Sequence, residues 1–148
     1  MLKNRIFYGW WVLFGIFTHY SVLVGVHIYT LALFYPELMK EFGWSEVQVS
    51  RPATISFLTG AAITSFVSAL FDRFSVRLFM ILGATTYVLA LFGFWSLQSL
   101  AQMTVIYVIF AVSQVCAGQV PTMLVVTRWF KRYRGIAIGI TLMGTSLG

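Results

Sequence analysis

Long stretches without any Asp, Glu, Lys or Arg constrain this chain more than any other feature of its sequence. Four such stretches, 6–36, 52–71, 78–127 and 135–148, make up most of its 148 residues. A helix needs about 20 consecutive apolar residues to cross the hydrocarbon core of a bilayer. The first two stretches therefore each hold one crossing, the third holds two, and the fourth holds the beginning of another.

The composition excludes a soluble domain. Charged residues make up 9% of the chain and hydrophobic residues 59%, whereas a soluble domain carries about 25% charged residues. We predict an all-α membrane protein with four complete transmembrane helices and the start of a fifth. The predicted spans lie at about 9–33, 50–71, 78–98, 103–127 and, incomplete, 135–148.

The basic residues indicate an orientation. Eight of the 10 fall on the side of the N-terminus: Lys3, Arg5, Arg73, Arg77, Arg128, Lys131, Arg132 and Arg134. The positive-inside rule then predicts a cytoplasmic N-terminus, in a plasma or inner membrane. The net charge of +6 does not indicate nucleic-acid binding, because these residues lie at the ends of apolar runs rather than on a polar surface.

The sequence shows no sign of an enzyme, a metal site or a cofactor site. It has no Ser/His/Asp arrangement, no carboxylate pair within a span and no phosphate-binding loop. Two histidines and the single Cys116 are too few and too scattered to hold a metal, and one cysteine excludes an intrachain disulfide. The apolar stretch after Arg5 is too long for a cleaved signal peptide, so we expect it to be retained as a helix.

The link between the first two spans predicts local structure. Residues 35–44 are typical of one or two turns of external helix that end at Gly43. Ser45 and Gln48 then fit a capping box, which places the start of the next helix near Glu46.

Small residues recur at helical spacing in two places and predict close helix packing. The second span carries Ser56, Gly60, Thr64 and Ser68, and the end of the chain carries Gly135, Gly139, Gly144 and Gly148. This pattern indicates a bundle of several membrane helices without indicating which kind.

The fourth span has a polar face formed by Gln114, Gly118 and Thr122, with Gln119 nearby. Pro121 has no N–H and so leaves a carbonyl near Ala117 without its donor, which permits a kink or a gap. Either a hydrogen bond between helices or a water-filled path explains the two glutamines; the path is the interpretation we favour.

The first span carries His19, Tyr20 and His27. Tyr20 and His27 share a helical face, while His19 lies about 80° around the helix from His27. An intramembrane histidine can bind an anion or relay a proton, or it can be neutral and hydrogen-bonded to a neighbouring helix, which is the more common case. Haem ligation by both histidines is disfavoured because they face different ways.

Two segments resemble a known family. Residues 68–77, SALFDRFSVR, resemble the G-x-x-x-D-R-x-G-R-R loop of the major facilitator superfamily. Residues 128–139, RWFKRYRGIAIG, resemble the junction of spans four and five in its monocarboxylate transporter and oxalate/formate antiporter branch. The segments YGWW at 8–11 and EFGWS at 41–45 fit the same branch.

The resemblance implies twelve spans in two six-helix halves with a solute site between them, so residues 1–148 would be part of the N-terminal half. It assigns Asp72, Arg73 and Arg77 to a gating network at the cytoplasmic ends of the helices. It makes spans one and four line the cavity, with the candidates His19, Tyr20, His27, Gln114 and Gln119. The motif at the four–five junction comprises Arg128, Lys131, Arg132, Arg134, Gly135 and Gly139.

The chain departs from the family pattern in places. Ser68 and Ser75 replace glycines of the loop, and Val76 replaces an arginine. We expect Ser75 to adopt a turn conformation that glycine adopts more easily, which would hold the loop less sharply. The lysine that animal members carry in outer span one is absent, and Tyr29 or His27 occupies that neighbourhood.

The expected function is that of the N-terminal part of a secondary active transporter for a small organic anion, a mono- or dicarboxylate, with proton symport or anion exchange. Its partners would be that anion, protons, the lipid bilayer and a missing C-terminal half, and no nucleic acid. The alternative is a free-standing small membrane subunit, or a truncated non-transporting product, that packs against other membrane proteins. A transporter must continue past Gly148, whereas a subunit must end its fifth helix before the middle of the bilayer.

Overall fold

The structure, a computed structural model, describes residues 8–131 and 133–147. Within these ranges the chain is helical and contains no strand. The helices in chain order are α1 (Gly9–Gly25), a π-helical turn (Val26–Thr30), α2 (Leu31–Leu33), α3 (Tyr35–Phe42), α4 (Glu46–Phe71), α5 (Val76–Trp95), α6 (Leu100–Ala117), α7 (Gln119–Trp129) and α8 (Arg134–Leu147).

Four helical segments of the described chain are long and apolar enough to cross a membrane: Gly9–Tyr29, Glu46–Arg73, Val76–Trp95 and Leu100–Trp129. We call α1 with the π turn and α2 span one, α4 span two, α5 span three, and α6 with α7 span four; for α8 we keep the name span five, because the sequence predicts an incomplete fifth span there. The predicted fold class is confirmed: the protein is an all-α, multi-pass membrane protein.

The connection before span two has the predicted local structure. Gly43 ends α3 with a φ of 67°, in the left-handed region that glycine adopts without strain. The Ser45 backbone N–H donates to Gln48 Oε1 at 2.9 Å, and the Gln48 backbone N–H donates to Ser45 Oγ at 3.4 Å. The capping box is therefore confirmed. The helix of span two therefore begins at Glu46, four residues before position 50, where the predicted span begins. The difference arises because the cap, and not the first apolar residue, sets the start of the helix.

Span four forms the centre of the bundle. The α6 side chains Met103, Tyr107 and Phe110 are almost fully buried, and spans two and three pack on either side of α6. Span five packs mainly against span one. The outer faces carry large exposed apolar side chains such as Phe66, Phe92 and Trp95, as expected where lipid is the solvent.

Close packing involves some of the small residues and not others. A Cβ added at Gly60 would lie 3.9 Å from Val115 of span four, and one added at Gly144 would lie 2.5 Å from Ser21 Oγ of span one. Gly135 and Gly139 differ, because an added Cβ would meet nothing within 4 Å. The buried face of α8 is formed by Ala137, Thr141 and Gly144, so Gly135 and Gly139 point away from it; Gly148 lies outside the described residues.

Two of the spans contain an interruption of regular α-helix. Span one has the π-helical turn Val26–Thr30 near its C-terminal end. Span four breaks at Gly118, which has a φ of −83° and a ψ of −134°. Such interruptions in membrane helices are tolerated where neighbouring groups satisfy the backbone, and they are frequent at functional sites.

Candidate functional site

A cavity of about 620 Å³ lies between the spans. Its walls come from spans one, two and four and from α8. The volume is in the range of small-molecule sites in proteins. The described residues that line it are Tyr20, Val24, His27, Ile28, Ser56, Phe57, Gly60, Ala61, Thr64, Ala111, Gln114, Val115, Gln119, Val120, Leu142 and Thr145.

The structure places four of the five predicted lining residues at this cavity: Tyr20, His27, Gln114 and Gln119. Their spacing explains why. Tyr20 and His27 lie on one face of span one, and the two glutamines lie on either side of the break in span four.

His19 is the exception, because it is not among the described residues that line this cavity. Its Nε2 lies 3.0 Å from the carbonyl oxygen of Ala117 in span four. Because a carbonyl only accepts, Nε2 must carry the hydrogen of this bond. The bond holds the imidazole between spans one and four rather than in the cavity.

His27 lies among aromatic rings. Its ring centroid is 5.9 Å from that of Phe110, 6.3 Å from Phe57, 6.4 Å from Tyr87 and 6.5 Å from Tyr107. Its Nδ1 is buried and has no hydrogen-bond partner in the part of the chain that the structure describes. A buried polar atom of this kind is costly unless a ligand or water meets it. The imidazole is therefore available to a molecule that enters the cavity.

Gln114 both lines the cavity and joins two spans. Its Nε2 donates to the carbonyl of Leu23 in span one at 3.2 Å. Both explanations of the span-four glutamines therefore apply to this residue, since it makes a hydrogen bond between helices and also borders an open volume.

Ser56, Thr64 and Thr145 also line the cavity, and the sequence did not identify them as lining residues. Ser56 and Thr64 belong to the stripe that predicted helix packing, and the same face also borders the cavity. The hydroxyl groups of these residues could have indicated a cavity, because close packing alone requires only small residues such as alanine or glycine.

A second cavity of about 370 Å³ adjoins the first and shares Gln119 and Val120 with it. Its other described lining residues are Met123, Leu124, Thr127 and Arg134. Arg134 is the first residue of α8, so this cavity extends from the midpoint of span four to the basic end of the bundle. Among the described lining residues of both cavities, only His27 and Arg134 can carry a positive charge, and none is acidic.

Comparison with known proteins decides the family. Residues 20–148 match the profile of the Major Facilitator Superfamily. The chain belongs to the major facilitator superfamily. It is also 27% identical over 147 residues to an "MFS-type transporter" of Gibberella moniliformis (strain M3125 / FGSC 7600), an alignment that covers 90% of this chain and 33% of that protein. The chain thus spans about a third of the length of this relative. No solved structure is significantly similar to it.

The superfamily loop between spans two and three is exposed. Asp72, Arg73 and Arg77 are all solvent-accessible, and none of them forms an ion pair with another described residue. The turn is closed by the backbone, because the N–H groups of Arg73 and Phe74 both donate to the carbonyl of Leu70 at 3.1 and 2.9 Å. The three charged side chains are free to meet a partner outside this chain segment.

The expectation about Ser75 in this loop is wrong. Its φ is −68° and its ψ is 118°, which is ordinary extended backbone that any residue adopts. The serine therefore needs no conformation that favours glycine. The two backbone hydrogen bonds to the Leu70 carbonyl close the loop without a glycine at this position.

The junction of spans four and five is rich in basic residues, as is the loop between spans two and three. Arg128, Lys131 and Arg134 are exposed, and Arg132 lies outside the described residues. Aromatic rings anchor the junction to the start of span one: Trp129 lies 5.9 Å from Tyr8 and Phe130 lies 5.5 Å from Trp10 between ring centroids. Among the described cations of the junction, Arg134 is the one that lines a cavity.

Proposed function

We propose that this chain is the N-terminal part of a secondary active transporter for a small organic anion, a mono- or dicarboxylate, that works by alternating access with proton symport or anion exchange. Membership of the major facilitator superfamily supports a transporter rather than an enzyme. The proposed substrate class rests on one observation, the chemistry of the residues that line the two adjoining cavities.

Charge is the main argument for an anion. The described walls bring two groups that can be cationic, His27 and Arg134, and no carboxylate. A carboxylate entering this space meets the side-chain amides of Gln114 and Gln119 without repulsion from a fixed negative charge on the described walls. A cationic solute would find no counter-charge on the same walls.

His27 supplies the argument for proton coupling. An imidazole can take up a proton near neutral pH, and its Nδ1 has no partner among the described residues. The titratable side chains that face it are Tyr87 and Tyr107, with the phenyl rings of Phe57 and Phe110 completing its surroundings.

The deciding experiment is uptake into proteoliposomes that contain the full-length parent protein. Radiolabelled lactate, pyruvate, oxalate and succinate are compared with glucose and choline, with either an inward proton gradient or a trapped anion as the driving force. We expect uptake of at least one carboxylate under one of these conditions. If glucose or choline were taken up and none of the carboxylates were, the proposal of an anionic substrate would be rejected.

Arg134→Gln tests the cavity itself. Removing a charge-assisted hydrogen bond to the carboxylate should lower kcat/KM by about tenfold. Arg128→Gln is the matched control, because it removes the same charge at the same end of the bundle from a side chain that does not line either cavity. Equal effects of the two substitutions would mean that Arg134 acts only through the general charge of that end.

His27→Gln tests the coupling. Glutamine keeps a hydrogen-bonding group in the cavity but does not titrate, so uptake should lose the part of its pH dependence that the imidazole carries. His19→Gln serves as the comparison, since that imidazole lies outside the cavity. An unaltered pH profile in His27→Gln would assign the coupling to a group elsewhere.

The mass of the natural polypeptide separates the transporter from the alternative of a small subunit. The chain covers 33% of its relative, so a transporter should have about three times the 16.7 kDa of this segment. A natural product of 16.7 kDa would instead favour the subunit.

A further inference from the structure

We propose that His19 is a positioning residue that replaces the hydrogen bond lost at Pro121 and thereby holds the break in span four that presents Gln114 and Gln119 to the cavity. The role of the two glutamines rests on the proposed function. The hydrogen bond and the break do not.

The first step is the missing donor. In an α-helix the carbonyl of residue 117 accepts from the N–H of residue 121. Residue 121 is a proline, which has no N–H, so the carbonyl of Ala117 lacks its helical donor. Ala117 is fully buried, and an unsatisfied carbonyl in the interior of a membrane bundle is costly.

The second step is the replacement donor. His19 Nε2 lies 3.0 Å from that same carbonyl oxygen, across the interface between spans one and four. The bond requires the hydrogen on Nε2. This pairing explains why a histidine lies on a face of span one that points away from the cavity.

The third step concerns the break that follows Ala117. Gly118 ends α6, and its N–H donates to the carbonyl of Gln114 at 2.7 Å. A Cβ at Gly118 would collide with the Gln114 carbonyl oxygen and would lie 2.6 Å from Gln114 Oε1. The backbone at the break is thus folded directly against Gln114, so its position determines where that side chain lies.

Spans one and four are fastened by a reciprocal pair of bonds, both of which involve the α6 segment that leads into the break. His19 of span one donates to a backbone carbonyl of span four, and Gln114 of span four donates at 3.2 Å to the carbonyl of Leu23 in span one. Gln119 follows the break directly and begins α7. Loss of the His19 bond would free the segment that carries both glutamines.

Hydrogen exchange of the full-length parent protein in lipid nanodiscs tests the proposal without any substrate. His19→Ala should accelerate exchange of the Gly118 and Thr122 amides by about threefold or more, the effect of losing one hydrogen bond between membrane helices. Thr18→Ala is the control, because its exposed hydroxyl bonds only to Phe14 in its own helix. Unchanged exchange in His19→Ala would overturn the proposal.

Two conservative variants distinguish the donor from the bulk of the ring. The amide nitrogen of glutamine lies at about the reach of Nε2, whereas that of asparagine is one bond shorter. His19→Gln should therefore retain wild-type exchange, and His19→Asn should behave like His19→Ala. Equal behaviour of the two would show that the ring only fills space. This pair also decides the matter if His19→Ala does not fold.

Pro121→Ala supplies an independent rescue. The substitution returns an N–H that can bond to the Ala117 carbonyl, so it should make His19 dispensable. Adding Pro121→Ala to His19→Ala should restore slow exchange, and failure to do so would overturn the proposal. Uptake of radiolabelled lactate by the same variants separates the two claims: if the exchange pattern holds while no variant transports any carboxylate, the positioning role stands and the proposed substrate class fails.

Discussion

At the residue scale, one close contact between spans three and four depends on a single glycine. A Cβ at Gly83 would lie 2.8 Å from the Cβ of Ala117 and 3.0 Å from its backbone nitrogen. Lipid provides little drive for two apolar helices to associate, so close backbone contact of this kind supplies the attraction instead. The contact also fixes Ala117, whose carbonyl accepts the hydrogen bond from His19.

Gly83→Ala should therefore destabilise the protein by about 1–3 kcal/mol, the usual cost of overpacking, because neither span three nor span four can move aside without losing other contacts. Gly93→Ala is the matched control in the same helix, since its Cβ would make an ordinary contact of 3.7 Å with Ile106. Thermal unfolding in detergent measures both. A Gly83→Ala protein as stable as Gly93→Ala would contradict the close packing.

At the element scale, caps and turns decide where the helices of this bundle begin and end. Ser45 starts span two with a complete capping box, and Gly43 ends the helix before it. At the opposite end of span two, the carbonyl of Leu70 accepts from two N–H groups of the loop. Both ends are closed by short-range hydrogen bonds, so the lengths of these elements follow from local sequence.

Ser45→Ala should lower the free energy of unfolding by about 1 kcal/mol, because the N–H of Gln48 loses its bond to the Ser45 hydroxyl and keeps only its bond to the Ser45 backbone carbonyl. Ser50→Ala, in the same helix, removes a hydroxyl that bonds only to the Val47 carbonyl and should have little effect. Unfolding in detergent with both variants provides the measurement. Similar stability of the two variants would mean that the cap is redundant.

Asp72→Asn addresses the gating role that the superfamily loop suggests. We expect uptake by the full-length parent to slow by about fivefold or more, while the equilibrium affinity of the outward-facing state changes little, because the carboxylate would act on the balance of states and not on the solute. Glu37→Gln is the control, since it removes an exposed acid outside this loop. Uptake at the wild-type rate in Asp72→Asn would reject a gating role.

At the scale of the whole molecule, the spans enclose a cavity whose polar groups come from several helices. Span one contributes Tyr20 and His27, span two Ser56 and Thr64, and span four its two glutamines. No single helix presents more than a part of the site. Alternating access in this superfamily would move such a wall as one body against a second half.

The orientation of the molecule can be tested by reporter fusions. The basic residues predict that fusions after Lys40 and Gln102 report an external position and that fusions after Arg73 and Lys131 report an internal one. Alternation of the two results along the chain would follow from four crossings in any orientation. A reversed pattern would contradict the cytoplasmic N-terminus while leaving the four crossings intact.

The positions of the membrane helices follow from local sequence. Uncharged stretches of sufficient length require membrane helices, and the capping box and Gly43 follow from short-range hydrogen bonds and backbone sterics, so neither depends on which helices meet. The same periodicity correctly placed Tyr20 and His27 on one face. The family, too, is visible in the two loop motifs.

Tertiary structure alone decided what each polar side chain meets. Helical arithmetic separates His19 from His27, but it does not show that the freed carbonyl of Ala117 lies opposite His19. The small residues of span two predicted packing, and only the arrangement of spans one, two and four shows that this face also borders a cavity. The physical reason is that a side chain's direction follows from its own helix, whereas its partner depends on the rotation and the breaks of the neighbouring one.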